Sequence, residues 1–459
     1  MKSSKGSPYA NQSDLKKFLK KHPNTQHLEL ILPDEHGYLR GKHIPRPSME
    51  KVFNKGVRFP GSTFSLNIRG DVIEKGGLGL KTGERDYDCL PLKGSLVEVP
   101  WKERTAQVLL SMRADDGGTF FAEPRGLVGK VYQRLQKRSI QVSMALEMEF
   151  YLLHEDSIKH KEPRLLHAHQ YKSEKDIDYQ VYSLQELDNY SSFLNDVYHA
   201  AERQGIEVNS IIAESSPGQF EVNLKHRLSP LHACDDALML KRIIKAVARQ
   251  HNFFATFMAK PFTYFDGSGT HIHIGLNDSK GKNLFAAEGL KTPLLQNVVG
   301  GMLNTINASF LMQCPHINSY KRFCNDCYVG FSQHWGVNNR TVPVRVVEEH
   351  SPNIHLEQRV AGADVNPYLL AAACLAAVDY GIETKQQPKA PPISGDGREG
   401  EKESVFMHKA IEDFSQSEWV KDYFGKEWQQ LWMTCRKAEL NAYEEIISPT
   451  EYSWYLTKV

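Results

Sequence analysis

Residues 145–152 read ALEMEFYL, and this alternation of apolar residues with acids tightly limits what the chain can fold into. Successive side chains of a strand point to opposite faces. Leu146, Met148, Phe150 and Leu152 then share one face, and Glu147, Glu149 and Tyr151 share the other. Two carboxylates on one side of an otherwise apolar strand repel each other and lose hydration, a cost that is recovered only if positive charge lies between them.

Three more segments repeat the habit. In GQFEVNL (218–224) Gln219, Glu221 and Asn223 oppose Phe220, Val222 and Leu224. In THIHIGL (270–276) His271 and His273 oppose Ile272, Ile274 and Leu276, and in IHLEQRV (354–360) His355, Glu357 and Arg359 share a face. A closed or nearly closed sheet would gather these polar faces around one cavity. Glu147, Glu149, Glu214, Glu221, His271 and Glu357 form the candidate ligand set. Five carboxylates and one imidazole suit two divalent cations such as Mg²⁺ or Mn²⁺. Two cations over a phosphate neutralise both an incoming nucleophile and a leaving diphosphate. The paired glutamates make sense if each holds a different ion.

A cationic group accompanies the acids. Arg322 lies in NSYKRF (318–323), Arg340 and Arg345 in WGVNNRTVPVRV (335–346), and Arg359 in LEQRV. Arginine presents a rigid fork to carboxylates and phosphates. The stretch DGSGTHIH (266–273) lacks the Lys-Ser/Thr ending of a Walker loop and is not a P-loop. It reads as a tight turn that lets backbone approach a ligand just before His271.

The chain has 459 residues, 41% of them hydrophobic, and a formal net charge of +1. Length allows two to three domains, and near-neutral charge gives no support for a nucleic-acid partner. The start, MKSSKGSPYANQ, has no apolar segment behind its lysines, and YLLAAACLAAV (368–378) falls short of the ~20 residues of a membrane span. Seven scattered cysteines fit a reducing cytoplasm better than a disulfide framework. Cys324 and Cys327 have no second pair and read as loop cysteines. Residues 1–115 mix short apolar runs with Gly and Pro, the texture of a small hairpin-rich domain. From about residue 120, long helices alternate with short strands, an α/β texture. Helices begin at Ser229-Pro230 and Asn366-Pro367, each a cap followed by Pro. Residues 386–402, rich in Pro, Gly and charge, read as an exposed loop or flap.

Taken in order, E-x-E in ALEMEF, ESSPGQFE (214–221), KPF…GSGTHIH (260–273), NSYKRF, NNRTVPVR and E-x-R…NPYLLAAA resemble the glutamine synthetase superfamily, and PDEHGYLRGK (33–42) resembles its N-terminal domain. The resemblance implies an α+β fold: a small β-grasp-like domain (1–115) and a catalytic domain (116–459) with a barrel-like, mainly antiparallel sheet surrounded by helices. It implies a homo-oligomer of two stacked hexameric rings with sites between neighbours, using ATP and two to three Mg²⁺ or Mn²⁺ per site. By position, Glu149, Glu214 and Glu221 match the ligands of one cation, and Glu147, His271 and Glu357 those of a second. His273 matches a nucleotide contact, and Gly267, Arg322 and Arg359 match glutamate-binding positions. Arg340 and Arg345 match the arginines near the transferred phosphate, and with Arg322 they are the catalytic candidates. The implied chemistry is attack of the glutamate side-chain carboxylate on ATP, then displacement of phosphate by an amine.

Two departures bear on that amine. Pro60, in FPGST (59–63), stands where the family has an ammonium-binding Asp, and Tyr328 stands where it has a Glu. Neither can hold NH₄⁺ or accept its proton, whereas a proline and an aromatic ring can line a site for a carbon chain. Asp266 also replaces a usual Asn. These changes resemble the γ-glutamylamine ligase branch, whose amines include putrescine and polyamines. A primary ammonium titrates near ~10.4, so a carboxylate must help to deprotonate it. Asp71, Glu74 and Asp326 lie near the altered stretches. The alternatives are a glutamine synthetase using ammonia and a non-catalytic oligomeric member. Retention of the repulsive acid cluster argues against the latter.

Overall fold

Two sheets organise the chain in the computed structural model, which describes residues 7–166, 180–323, 333–347, 352–398 and 406–459. The first contains β1 (His27–Pro33), β2 (Leu39–Pro45), β3 (Val57–Pro60), β4 (Asp86–Pro91), β5 (Val97–Glu98) and β6 (Thr105–Met112). Its order is β2-β1-β6-β4-β3, with β5 also on β6. A tight turn closes the β1–β2 hairpin. Asp34 Oδ1 accepts from the backbone N–H of His36 and of Tyr38, both at 2.9 Å, and Gly37 takes the left-handed φ of +72°. The pairing of β1 with β6 is parallel and the others are antiparallel, as in a β-grasp sheet.

Strand β6 is buried along its whole length, because the second part of the chain covers it. Arg242 Nη1 donates to Gln107 Oε1 of β6 at 2.8 Å, and its Nη2 pairs with Glu29 of β1. Arg242 belongs to the helix Pro230–Gln250, so this helix seats the small sheet on the rest of the molecule.

The second sheet contains β7 (Gln141–His154), β8 (Val208–Ala213), β9 (Gln219–Leu224), β10 (Phe253–Thr256), β11 (Thr270–Asn277), β12 (Trp335–Val337), β13 (Val344–Val347) and β14 (His355–Gln358). Its order is β12-β13-β14-β11-β7-β9-β8, with β10 on the end of β7. All pairs are antiparallel except β12 with β13, so this is the α+β arrangement with a mainly antiparallel sheet that the resemblance implied, although helix–strand alternation alone had an α/β texture. Among the described residues the path ends at β8 and β12, a curled sheet that does not close on itself.

The apolar faces behave as alternation requires. Leu146, Met148, Phe150 and Leu152 of β7, Phe220 and Val222 of β9, and Ile272, Ile274 and Leu276 of β11 are fully buried. Helices cover them, Pro230–Gln250 packing on β7 and Pro367–Thr384 on Pro124–Lys137 and Pro293–Gln313. The last contact is unusually close: a Cβ on Gly381 would lie 2.1 Å from Asn297 O, and one on Gly301 2.3 Å from Ala377 O. Both expected helix starts are present. Ser229 Oγ accepts from His232 N and Asn366 Oδ1 from Tyr368 N, each cap contributing on the order of 1 kcal/mol.

Residues 386–398 form an exposed loop without helix or strand, yet they are fastened down. Trp335 Nε1 donates to Ala390 O (2.9 Å), Asn339 Nδ2 to Gly395 O (2.9 Å) and Gly397 N to Thr341 Oγ1 (2.8 Å). Cys324, Asp326, Cys327, Tyr328 and residues 399–402 lie outside the described residues. Among the described residues, five cysteines are buried free thiols, and no helix is long and apolar enough to cross a membrane.

Candidate active site

Register turns four polar strand faces into one row. Glu221 of β9 lies opposite Glu149 of β7, and Glu147 of β7 opposite His271 of β11. His273 of β11 lies opposite Glu357 of β14, which faces Arg345 of β13. Glu214 joins from just beyond β8, its N–H donating to Gln219 O at 2.9 Å.

The side chains converge in three groups, each with ligand atoms within 4.8 Å of one another. The first is Glu149, Glu214 and Glu221, as the sequence led us to expect. In the second, His271 sits with Glu147 and Glu221; in the third, His273 sits with Glu147 and Glu357. His271 Nδ1 lies 3.4 Å from Glu147 and 3.6 Å from Glu357, so the expected second set is also adjacent. The difference concerns His273, which stands among the acids and not apart from them.

Mutual repulsion splits the carboxylates by charge. Burial, then the charges of Glu147 and Glu149, push Glu221 up to about 9. Burial and Glu149 push Glu214 up to about 8, against a downward pull from Arg340. Burial would also raise Glu147, but hydrogen bonds from His271 and His273 outweigh it and hold that carboxyl well below the usual range. Burial opposes ionisation of Glu357 as well, yet Arg359 and the two histidines bring it down to about 2. An oxygen-rich donor set with imidazoles at its centre, strained by its own charge, fits divalent cations.

The turn before β11 presses backbone against this cluster. Gly269 N donates to Glu149 Oε2 at 2.8 Å, and Glu149 N donates to Gly269 O at 3.0 Å. A Cβ on Gly269 would meet Arg322 Nη2 at 2.7 Å, and one on Gly267 would meet Arg322 Cγ at 2.6 Å and Ala259 O at 2.8 Å. Arg322 is itself buried, its Nη1 donating to Val360 O at 2.9 Å. Tyr151 OH donates to Asp266 O at 2.7 Å, Ser215 Oγ donates to Asp266 Oδ2, and Asp266 N donates to Ser216 Oγ at 3.0 Å. The glycine stretch is thus a turn fixed at both ends.

At the far end, Arg345 Nη1 donates to Glu357 Oε2 at 2.9 Å and Arg359 Nη1 to Glu357 Oε1. Arg359 Nε reaches Arg340 O at 3.2 Å, while Arg340 itself is exposed. Pro60 sits elsewhere, at the end of β3 opposite Asp86 on the first sheet. Glu74 accepts from Leu80 N and Asp71 from Asn67 within that same part of the chain.

Sequence reasoning gave no role to Gln219, Asn223 or Gly269. Gln219 Nε2 donates to Gly267 O at 3.1 Å and Glu149 Oε2 at 3.4 Å, and Asn223 Nδ2 donates to Glu221 Oε1 at 3.1 Å. Both amides share the polar face of β9 with Glu221, and that alternation was the signal that could have found them.

This fold and acid–imidazole–arginine row define a class. Residues 121–455 match the glutamine synthetase catalytic domain, and the chain belongs to the glutamine synthetase family. Among curated relatives, γ-glutamylputrescine synthetase PuuA of Escherichia coli (strain K12) is 38% identical, the match covering 96% of this chain and 94% of that protein. Glutamate–isopropylamine ligase of a Pseudomonas species is 30% identical, with 96% of each chain covered. Gamma-glutamylethanolamide synthetase GlnA4 of Streptomyces coelicolor is 28% identical over 92% of this chain and 90% of that protein. The solved structure of apo GmaS without ligand shares the fold, with a TM-score of 0.82 at 23% identity over 96% of this chain and 98% of that one.

Proposed function

We propose that this chain is an ATP-dependent ligase that phosphorylates the γ-carboxylate of glutamate and couples it to an organic amine of the putrescine or polyamine class. The products are a γ-glutamylamide, ADP and phosphate. One observation carries the reading: the acids, imidazoles and arginines that this chemistry needs occupy one continuous row across β9, β7, β11, β14 and β13. Full-length similarity to relatives named for putrescine, isopropylamine and ethanolamide supports an amine larger than ammonia. Family membership makes the chain a ligase that forms a carbon–nitrogen bond.

In this reading Arg322 and Arg359, with the backbone at Gly267, bind glutamate and aim its side-chain carboxylate at the terminal phosphate. Arg340 and Arg345 neutralise charge on the phosphate as it transfers. Glu149, Glu214 and Glu221 hold one divalent cation, and Glu147, His271 and Glu357 a second, with His273 toward the nucleotide. Such cations, when bound, screen the phosphate oxygens and polarise phosphorus for attack. Pro60 and Tyr328 line the amine site, Pro60 by contributing from a neighbouring copy in a double hexameric ring, since within one chain it lies on the other sheet. The chain works in the cytoplasm, with residues 1–115 and 116–459 as its two domains.

Phosphate release from ATP tests this with glutamate, Mg²⁺ or Mn²⁺, and in turn ammonium, ethanolamine, putrescine, cadaverine and spermidine, with product masses checked. Turnover with diamines or polyamines and little with ammonium supports the reading. Efficient use of ammonium replaces it with glutamine synthesis, and silence with every amine sinks the ligase reading itself.

A further inference from the structure

A buried ion pair near the end of the chain reaches back to Arg322. Arg436 and Glu439 lie one turn apart on the helix Lys426–Glu444, and Arg436 is fully buried. Its Nη1 donates to Glu439 Oε2 at 2.8 Å and its Nη2 to Oε1 at 3.1 Å, and its guanidinium lies 4.4 Å over the Trp432 ring. Burial opposes ionisation of Glu439, but Arg436 and His316 bring its carboxyl down to about 2. A pair so deeply desolvated adds little stability over apolar side chains of the same size. It does fix the segments that it touches.

Three segments meet on this pair. Ile68 N, in the stretch between β3 and β4, donates to Glu439 Oε1 at 2.6 Å. Arg436 Nη2 lies 2.9 Å from Nε2 of His36, in the turn between β1 and β2. On the third side Arg436 Nη1 reaches Pro315 O at 3.4 Å, Glu439 Oε2 lies 3.6 Å from His316 Nδ1, and the His316 ring stacks on His36 with centroids 5.4 Å apart. His316 opens the short helix Ile317–Tyr320. Asn318 of that helix accepts from Lys260 N at 2.8 Å and donates to Lys260 O at 2.9 Å, and Ser319 Oγ donates to Asp364 Oδ2 at 2.6 Å. These two segments bracket the glycine turn, since Ser268 N donates to Ala259 O at 2.8 Å and Ala363 N to Ser268 O at 2.9 Å. Arg322 follows the helix directly, its N–H donating to Ser319 O at 3.3 Å.

We propose that Arg436 and Glu439 are positioning residues for glutamate: by holding Pro315 and His316 they set the short helix, and with it the guanidinium of Arg322. The packing leaves no slack to absorb a shift. A Cβ on Gly267 would already meet the Arg322 stem at 2.6 Å, so a displaced helix drives that stem into the turn or pulls it away. Through Ile68 and His36 the same pair ties this setting to the part of the chain that builds the first sheet. The proposal rests on Arg322 as a glutamate ligand and adds two residues of the helix Lys426–Glu444, outside the polar strand faces.

The test replaces the pair as a unit in the full-length chain, Arg436→Met together with Glu439→Met, so that neither charge is left stranded. Steady-state kinetics for glutamate and for ATP with the best amine, thermal melts, and hydrogen exchange of peptides covering 315–323 are compared with wild type. We expect melting close to wild type and faster exchange at 315–323. KM for glutamate should rise about tenfold, part of the roughly hundredfold that a misplacement of about 1 Å costs. KM for ATP should change less than about twofold, since only glutamate binding is disturbed. If the double variant fails to fold, Glu439→Gln carries the test with the same split, because it keeps an oxygen for Ile68 N and loses the charge that faces Arg436 and His316. Wild-type exchange and wild-type KM for glutamate in a folded variant overturn the proposal and leave the ligase reading standing. Equal rises in both KM values also overturn it, as a general loosening of the fold. A wild-type chain that turns over with no amine overturns both.

Discussion

Arg345 and Glu357 face each other across β13 and β14, with Nη1 2.9 Å from Oε2, and Arg359 holds the other carboxylate oxygen. The Glu357 side chain is 1% exposed and stays charged because two guanidiniums replace the water it has lost. Removing one partner strands part of a buried charge. Arg359→Met is expected to lower stability by about 3 kcal/mol, and Arg345→Met by less, because its side chain is more exposed at 15% against 8%. Urea denaturation decides it, and unchanged midpoints in both variants refute this account of Glu357.

The acid cluster sets function against stability. Glu149 and Glu147 both push Glu221 upward, so one charge fewer relieves the chain when divalent ions are absent. Glu149→Gln is expected to melt higher than wild type in EDTA and to lose catalysis. It should also lose most of the stabilisation that divalent ions give wild type, which amounts to about 2.7 kcal/mol at a hundredfold excess over Kd. A variant that melts lower than wild type in EDTA counts against repulsion as the cause of the raised acids.

Gly267 and Gly269 are held by contact with Arg322. Because a Cβ at position 267 meets a backbone carbonyl, Ala259 O, as well as the Arg322 stem, Gly267→Ala cannot be absorbed by a side-chain rotation. It is expected to cost on the order of 1–3 kcal/mol of stability. Gly269→Ala meets only side-chain atoms, the guanidinium of Arg322 and those of His271 and Glu149, so its main effect falls on activity. A displacement of about 1 Å there costs roughly a hundredfold in kcat/KM. Steady-state kinetics beside thermal melts separates the two patterns.

Glu123 gives a pH dependence away from the cluster. Burial raises its carboxyl to about 8, although Ser111 Oγ donates to it at 2.9 Å. The folded chain keeps this proton up to about pH 8, whereas the unfolded chain loses it near 4.5. Stability from this group is therefore complete below 4.5 and drains away as pH rises toward 8, by at most about 1.4 kcal/mol per pH unit. Glu123→Gln should flatten that decline. Denaturation midpoints between pH 5 and 8 check it, and an unchanged slope means that Glu123 is already ionised in the fold.

Alternation along each strand was enough to assign Glu147, Glu149, Glu221, His271, His273 and Glu357 to polar faces, because a backbone period of two is local. The same locality made the helix starts at Ser229-Pro230 and Asn366-Pro367 legible, since a cap needs only its own next few residues. Local pattern could not say which strands lie side by side. It gave only an α/β texture where β7, β9, β11 and β14 run antiparallel, and it left open whether the sheet closes, whose path among the described residues stops at β8 and β12.

Only tertiary structure set His273 opposite Glu357, put His355 behind it, and laid Gly269 against Arg322, because register depends on burying faces that lie far apart in sequence. The sequence by itself determined which side chains share the polar face of each strand. The packing of helices onto the apolar sides of those strands decided which of them meet, since hydrophobic burial acts between elements and is indifferent to their order along the chain.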